Sequence, residues 1–214
     1  MLKILKNIIN CFFLFAILLS CFSDLEAKNS KDVSNTEVKR KTISHKKKYS
    51  LTLANSKDGH PVRSGKKSYR FEVRLGDCGK DSGHDDCKKD RQRTELQFKK
   101  HQMGKKDHWY SASIYLPENY QSVAPVRTTF AQLYEKGWKP ILMVTDRSGE
   151  WLEVGRMWSG EYVEMKKAIR INDMRGKWTD ILINARYSRE ENGFMKVWIN
   201  NKLVLNSSLL KLIC

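Results

Sequence analysis

An all-β sandwich or jelly roll is the fold class this sequence predicts, and three observations carry the prediction. Past residue 48 the apolar residues recur mostly with period two, turn residues interrupt them at short intervals, and scarcely a helical segment lies between. In "SYRFEVRL", Tyr69, Phe71, Val73 and Leu75 alternate with Ser68, Arg70, Glu72 and Arg74, which predicts a half-buried strand. "RTELQF" repeats the pattern, with Thr94, Leu96 and Phe98 on one side and Arg93, Glu95 and Gln97 on the other. In "WYSASIYL" the shared face is Tyr110, Ala112, Ile114 and Leu116. "RTTFAQLY", "PILMVT", "TDILINARY" and "FMKVWI" continue the series, punctuated by "PEN", "DRSGE", "RGK" and "ENG". "SGEYVEMKKAIRIND" fits either a short helix or a strand. Sheets of this kind close as sandwiches or jelly rolls.

The chain of 214 residues divides into three parts. Residues 1–27 begin "MLKILKNIINCFFLFAILLSCF", where Lys3 and Lys6 precede an apolar run too short for the ~20 residues of a membrane span. This is the layout of a secretory signal peptide. Two cleavage readings are open: after Ala27, releasing a soluble protein, or before Cys21, where "LLSC" resembles a lipobox and would leave a lipid-bearing cysteine. The protein is therefore expected to be secreted or periplasmic, or an outer-membrane lipoprotein touching the membrane only through that anchor. Residues 28–48 hold eight Lys or Arg against two acids and no aromatic residue, so they read as a flexible basic tether. Residues 49–214 form the domain.

The tether carries six of the sixteen net positive charges, and the signal segment none, so the domain keeps about ten. That balance favours an acidic partner. Export and the lack of any zinc-finger, RNP or helix-turn-helix pattern argue against nucleic acid. An acidic polysaccharide or a lipid surface fits the compartment better, and the protein is expected to be a monomer. Cys78 and Cys87, nine positions apart in "GDCGKDSGHDDC", predict a disulfide closing a loop rich in Gly and Asp. The competing reading is calcium, with Asp81, Asp85, Asp86 and Asp90 as oxygen donors, although the spacing is not that of an EF-hand.

Several reaction classes fall away. There is no G-x-S-x-G elbow, no H-E-x-x-H and no phosphate loop. Glu150 and Glu153 in "GEWLEVG" are spaced for opposite faces of a strand, which disfavours hydrolysis by paired carboxylates. What remains is a polar row suited to gripping a carboxylate: Arg93, Glu95 and Gln97, joined by Arg91 if the strand begins early, and Gln132 with Tyr134 two apart in "FAQLY". Elimination from a uronic acid sugar needs this set. Its carboxylate must be neutralised so that the C5 proton becomes acidic, a base must take that proton, and an acid must protonate O4. Arg93 and Gln132 suit the first task, and Tyr134 or a histidine the others. Glu95 is expected to orient Arg93 by an ion pair. Of the six tryptophans, most are expected in the core, with Trp138 beside Gly137 as a sugar platform.

The run "SGKKSYRFEVRLGDCGKDSGHDDCKKDRQRTELQF", followed by "WYSASIYLPENY", "TTFAQLYEKGWKP", "RGKWTDILINARYS" and "GFMKVWINNKLV", resembles polysaccharide lyases of the heparin lyase I and glucuronan lyase type over roughly residues 50–205. "R-T-E-L" is also similar to the R-[ST]-E-L strand of alginate lyases with that fold. The resemblance implies a concanavalin-like β-jelly roll with a concave basic cleft that cleaves acidic polysaccharide by elimination. It implies that Arg93 and Gln132 face one cleft, as cleft arginine and carboxylate-neutralising amide. Tyr134 stands where the family's Q-x-H motif has histidine, so the base is either Tyr134 or His60 from "DGHPVRSGK". The family also continues into a last Y-x-K-x-G-x-Y strand, whereas this chain runs into "LNSSLLKLIC" with Cys214 left over. The resemblance thus implies a lyase truncated at its C-terminus and weakly active or inactive, or else a non-catalytic glycan-binding module on the same sandwich.

Overall fold

The computed structural model describes residues 47–81, 84–97, 106–134, 139–188 and 191–208, and it divides into a unit of residues 1–100 and one of residues 101–214. Among the described residues no helix is long and apolar enough to cross a membrane. The signal segment, most of the tether, Trp138 and Cys214 lie outside the described residues.

In the first unit, β1 (Leu51–Asn55) and β2 (Lys67–Phe71) pair antiparallel, with Leu53 opposite Tyr69. Asn55 ends β1 by accepting a hydrogen bond from the Lys57 amide at 3.1 Å, which caps a single 3₁₀ turn (Ser56–Asp58). The strand predicted over "SYRFEVRL" stops at Phe71. Asp77 is the cause: its carboxylate accepts from the Arg74 amide at 2.7 Å and from the Tyr49 hydroxyl at 2.8 Å, and Gly76 takes a left-handed φ of 83°. A local turn has outcompeted the ladder. Phe71, Val73 and Leu75 are accordingly exposed rather than half-buried.

Two short strands, β3 (Lys80–Asp81) and β4 (His84–Asp85), pair inside the loop closed by Cys78–Cys87, whose Cα atoms are 5.1 Å apart. The predicted disulfide is present. Beyond it the expected "RTELQF" strand is not one, because residues 91–97 join no ladder and the half-buried side chains show no alternation. Side chains hold this stretch instead. Thr94 Oγ1 donates to the Glu72 carbonyl at 3.2 Å, and Arg93 is bound to Asp86.

The second unit is a sandwich of two four-stranded antiparallel sheets. One has the order β12 (Lys202–Ser208), β11 (Phe194–Ile199), β10 (Trp178–Arg186), β5 (Asp107–Tyr115); the other runs β6 (Thr128–Tyr134), β7 (Pro140–Asp146), β8 (Trp151–Trp158), β9 (Glu161–Arg170). Alternation decides which face is buried. Leu142 and Val144 of β7 and Leu152 and Val154 of β8 meet Ile181, Ile183 and Ala185 of β10 and Met195 and Val197 of β11 in one core. A four-residue helix, α1 (Ile171–Met174), follows β9 directly and adds Ile171 and Met174, so "SGEYVEMKKAIRIND" is a strand that ends in a helical turn. The "DRSGE" turn between β7 and β8 is held by buried Asp146, which accepts from the Gly149 amide at 2.8 Å and the Tyr120 hydroxyl at 3.2 Å. This all-β sandwich is the jelly-roll class the periodicity predicts.

Candidate active site

The polar pair of β6 is set by strand parity. Ala131 and Leu133 pack on the core, so Gln132 between them projects from the opposite face of the sheet. Tyr134 follows on that side, and its hydroxyl donates to Gln132 Oε1 at 3.0 Å. The phenol is 42% exposed, so a substrate can reach it. An amide and a phenol in contact offer two actions on a bound sugar: hydrogen bonding to a carboxylate and transfer of a proton.

The register extends this face across the sheet. Gln132 lies opposite Met143 of β7, which lies opposite Gly155 of β8; one step along, Thr145 lies opposite Glu153. Tyr162 of β9 lays its ring on Gly155, where a Cβ would fall 2.3 Å from the ring, and its hydroxyl reaches Met143 Sδ at 3.8 Å. Glu153 was singled out with Glu150 only to be set aside as a hydrolytic pair. Glu150 is exposed in the turn before β8, whereas Glu153 is buried on the strand with Oε2 making no hydrogen bond. Tyr162 is a residue of this face that motif reading missed; the bare glycine in "LEVGRMW" was the available signal.

The other predicted site residues that the structure describes belong to the first unit. Arg93 forks onto Asp86, Nε donating to Oδ2 at 2.7 Å and Nη2 to Oδ1 at 2.8 Å, while Nη1 stands 3.5 Å from Glu95. The Glu95 ion pair is as expected, but the main partner is Asp86. Its side chain is 2% exposed, and burial of a carboxylate demands such a partner. Arg91 is exposed and its amide donates to the Asp86 carbonyl at 2.9 Å; Gln97 is half-buried and His60 exposed. Arg93, Glu95 and Gln97 therefore form no strand row.

Two of the four acids proposed for calcium have other work. Asp86 holds Arg93, and Asp85 accepts from the Lys88 amide at 3.1 Å and stands 3.9 Å from Lys80 Nζ. Among the described residues no group of three or more His, Cys, Asp or Glu is assembled for a metal. The tryptophans also depart from expectation. Trp109 is 59% exposed and stacks on Trp198 at 5.9 Å, and Trp151 lies under Arg170 at 4.6 Å.

A family model described as polysaccharide lyase matches residues 35–212. No curated protein matches the chain.

Proposed function

The chain belongs to the polysaccharide lyase family, and from that premise we propose that it cleaves a uronate-containing polysaccharide by β-elimination on the face of β6. The observation that carries this reading is the Tyr134–Gln132 contact at 3.0 Å on an accessible strand face turned away from the core. Gln132 donates from its amide to the uronate carboxylate and stabilises the charge that builds there. Tyr134 moves the proton. As phenolate it takes the proton from C5, the electron pair forms the C4–C5 double bond, the C4–O4 bond breaks, and the new phenol protonates the departing O4. Atoms balance and Tyr134 is regenerated. Arg93, engaged by Asp86, is assigned to holding the disulfide loop, and His60 is not needed as base. The Cys78–Cys87 bond fits an oxidising compartment, in keeping with export.

The test is to incubate the protein with polyglucuronate, polymannuronate and a neutral glucan and to follow absorbance of the new conjugated double bond. Absorbance that rises with a polyuronate and not with the glucan is the expected result. Tight binding of polyuronate with no double bond formed would favour the glycan-binding reading.

A further inference from the structure

Next to the Tyr134–Gln132 pair lies a cluster that the reaction as written does not use. Arg127 Nη1 donates to the Tyr162 hydroxyl at 3.4 Å. The Arg147 guanidinium carbon sits 5.1 Å from the centre of the same ring, and its Nη1 reaches Met165 Sδ at 3.7 Å. Both arginines are exposed. Several other arginines in the described residues are bound to carboxylates: Arg70 and Arg74 to Glu72, Arg93 to Asp86, Arg186 to Asp107. Among the described residues, Arg127 and Arg147 have no carboxylate within ion-pair distance; they are gathered on one phenol ring instead. The Cδ1–Cε1 edge of the ring fits against residue 155 because that residue has no side chain.

We propose that Arg127 and Arg147, aligned by Tyr162, form an anion-binding subsite that takes the carboxylate of the sugar next to the one being cleaved. Two exposed guanidinium groups that meet no carboxylate among the described residues, and that share one aromatic ring, present the fork donors that a carboxylate accepts. Position supports the neighbouring sugar. Tyr162 reaches back from β9 over Gly155 to Met143, and Met143 is the cross-strand neighbour of Gln132. The Tyr162 hydroxyl is thus brought to the strand next to that of Gln132, and neighbouring strands lie ~4.8 Å apart, comparable with the length of a pyranose ring. The subsite selects chains in which adjacent sugars both carry charge, over chains with isolated uronates. This inference rests on the reading of Gln132 and Tyr134 as the reacting pair, but binding can be measured without turnover.

The full chain is titrated calorimetrically with a polyglucuronate oligomer, a sulfated glucan and a neutral glucan, comparing wild type with Arg127→Gln, Arg147→Gln and Gly155→Ala. Each arginine variant is expected to bind polyglucuronate about ten-fold more weakly, as for loss of one charge-assisted hydrogen bond, with unchanged melting. Gly155→Ala, which displaces Tyr162, is expected to weaken it similarly; should that variant fail to fold, the arginine variants decide alone. In turnover, the arginine variants raise KM with little change in kcat. Wild-type affinity in both arginine variants overturns the subsite even if elimination proceeds, and a loss confined to the sulfated glucan overturns the carboxylate assignment. Polyglucuronate binding that depends on both arginines, without any elimination by wild type, keeps the subsite and removes the reaction.

Discussion

Two side chains illustrate how company decides role. Arg93 carries the charge and fork that a uronate would want, yet it donates both hydrogen bonds to Asp86, which is almost fully buried. Removing the arginine strands that carboxylate, so Arg93→Ala is expected to lower stability by about 3 kcal/mol or more, read from urea unfolding. Arg93→Lys is expected to be impaired as well, because an ammonium cannot supply the fork. Normal unfolding combined with lost polyuronate binding would return Arg93 to the substrate. Tyr134 is the opposite case: half-exposed, its hydroxyl rests on Gln132. Tyr134→Phe keeps the ring and removes the proton carrier, so kcat should drop about 100-fold or more with KM nearly unchanged. A fall in KM-side affinity alone would make Tyr134 a binding residue. The Gln132–Tyr134 alignment was legible because period two is a property of sequence. Asp86 as the partner of Arg93 was not, since the two lie seven positions apart along a loop that includes the disulfide-bonded Cys87, and no local rule reports which of several aspartates turns inward.

Elements were readable where burial enforces the pattern. β10 and β11 largely alternate against an apolar core and β7 is buried along nearly its whole length, and their bounds fall within one residue of "PILMVT", "TDILINARY" and "FMKVWI". Outside that core the same alternation misled. "SYRFEVRL" loses its last residues to the Asp77 turn, and "RTELQF" trades a ladder for the Arg93–Asp86 pair. Both failures have one cause: short polar side chains that satisfy backbone groups locally compete with sheet pairing. The loop closed by Cys78 and Cys87 gathers these contacts, with Asp86 directly beside Cys87. Opening it by Cys78→Ser with Cys87→Ser is expected to cost on the order of 2–3 kcal/mol. The urea midpoint should shift accordingly, and an unshifted midpoint would show that the Arg93–Asp86 pair holds the loop without the covalent link.

At the scale of the whole molecule, charge and buried phenols set the working conditions. A net charge of +16 draws a polyanion over distance, so affinity for polyuronate should fall steeply as salt rises, while a neutral glucan shows no such slope. Two tyrosines limit the alkaline side. Burial, chiefly, pushes the Tyr120 hydroxyl up to about 12, and burial with a hydrogen bond to Tyr110 raises Tyr187 further. Each then holds its proton more tightly folded than unfolded, so their contribution is whole below the ordinary tyrosine value near 10 and declines as pH climbs from there toward 12. Urea unfolding at rising pH should show this decline, with Tyr120→Phe flattening part of it; a flat profile would contradict the burial. The central claim is that this lyase fold uses Tyr134 to eliminate across a uronate linkage. Its most direct test is the appearance of conjugated double-bond absorbance when the full chain meets polyglucuronate, beside Tyr134→Phe at equal concentration and equal melting temperature. A signal from the wild type that the variant all but loses is what the account predicts, and an equal signal from both would contradict it.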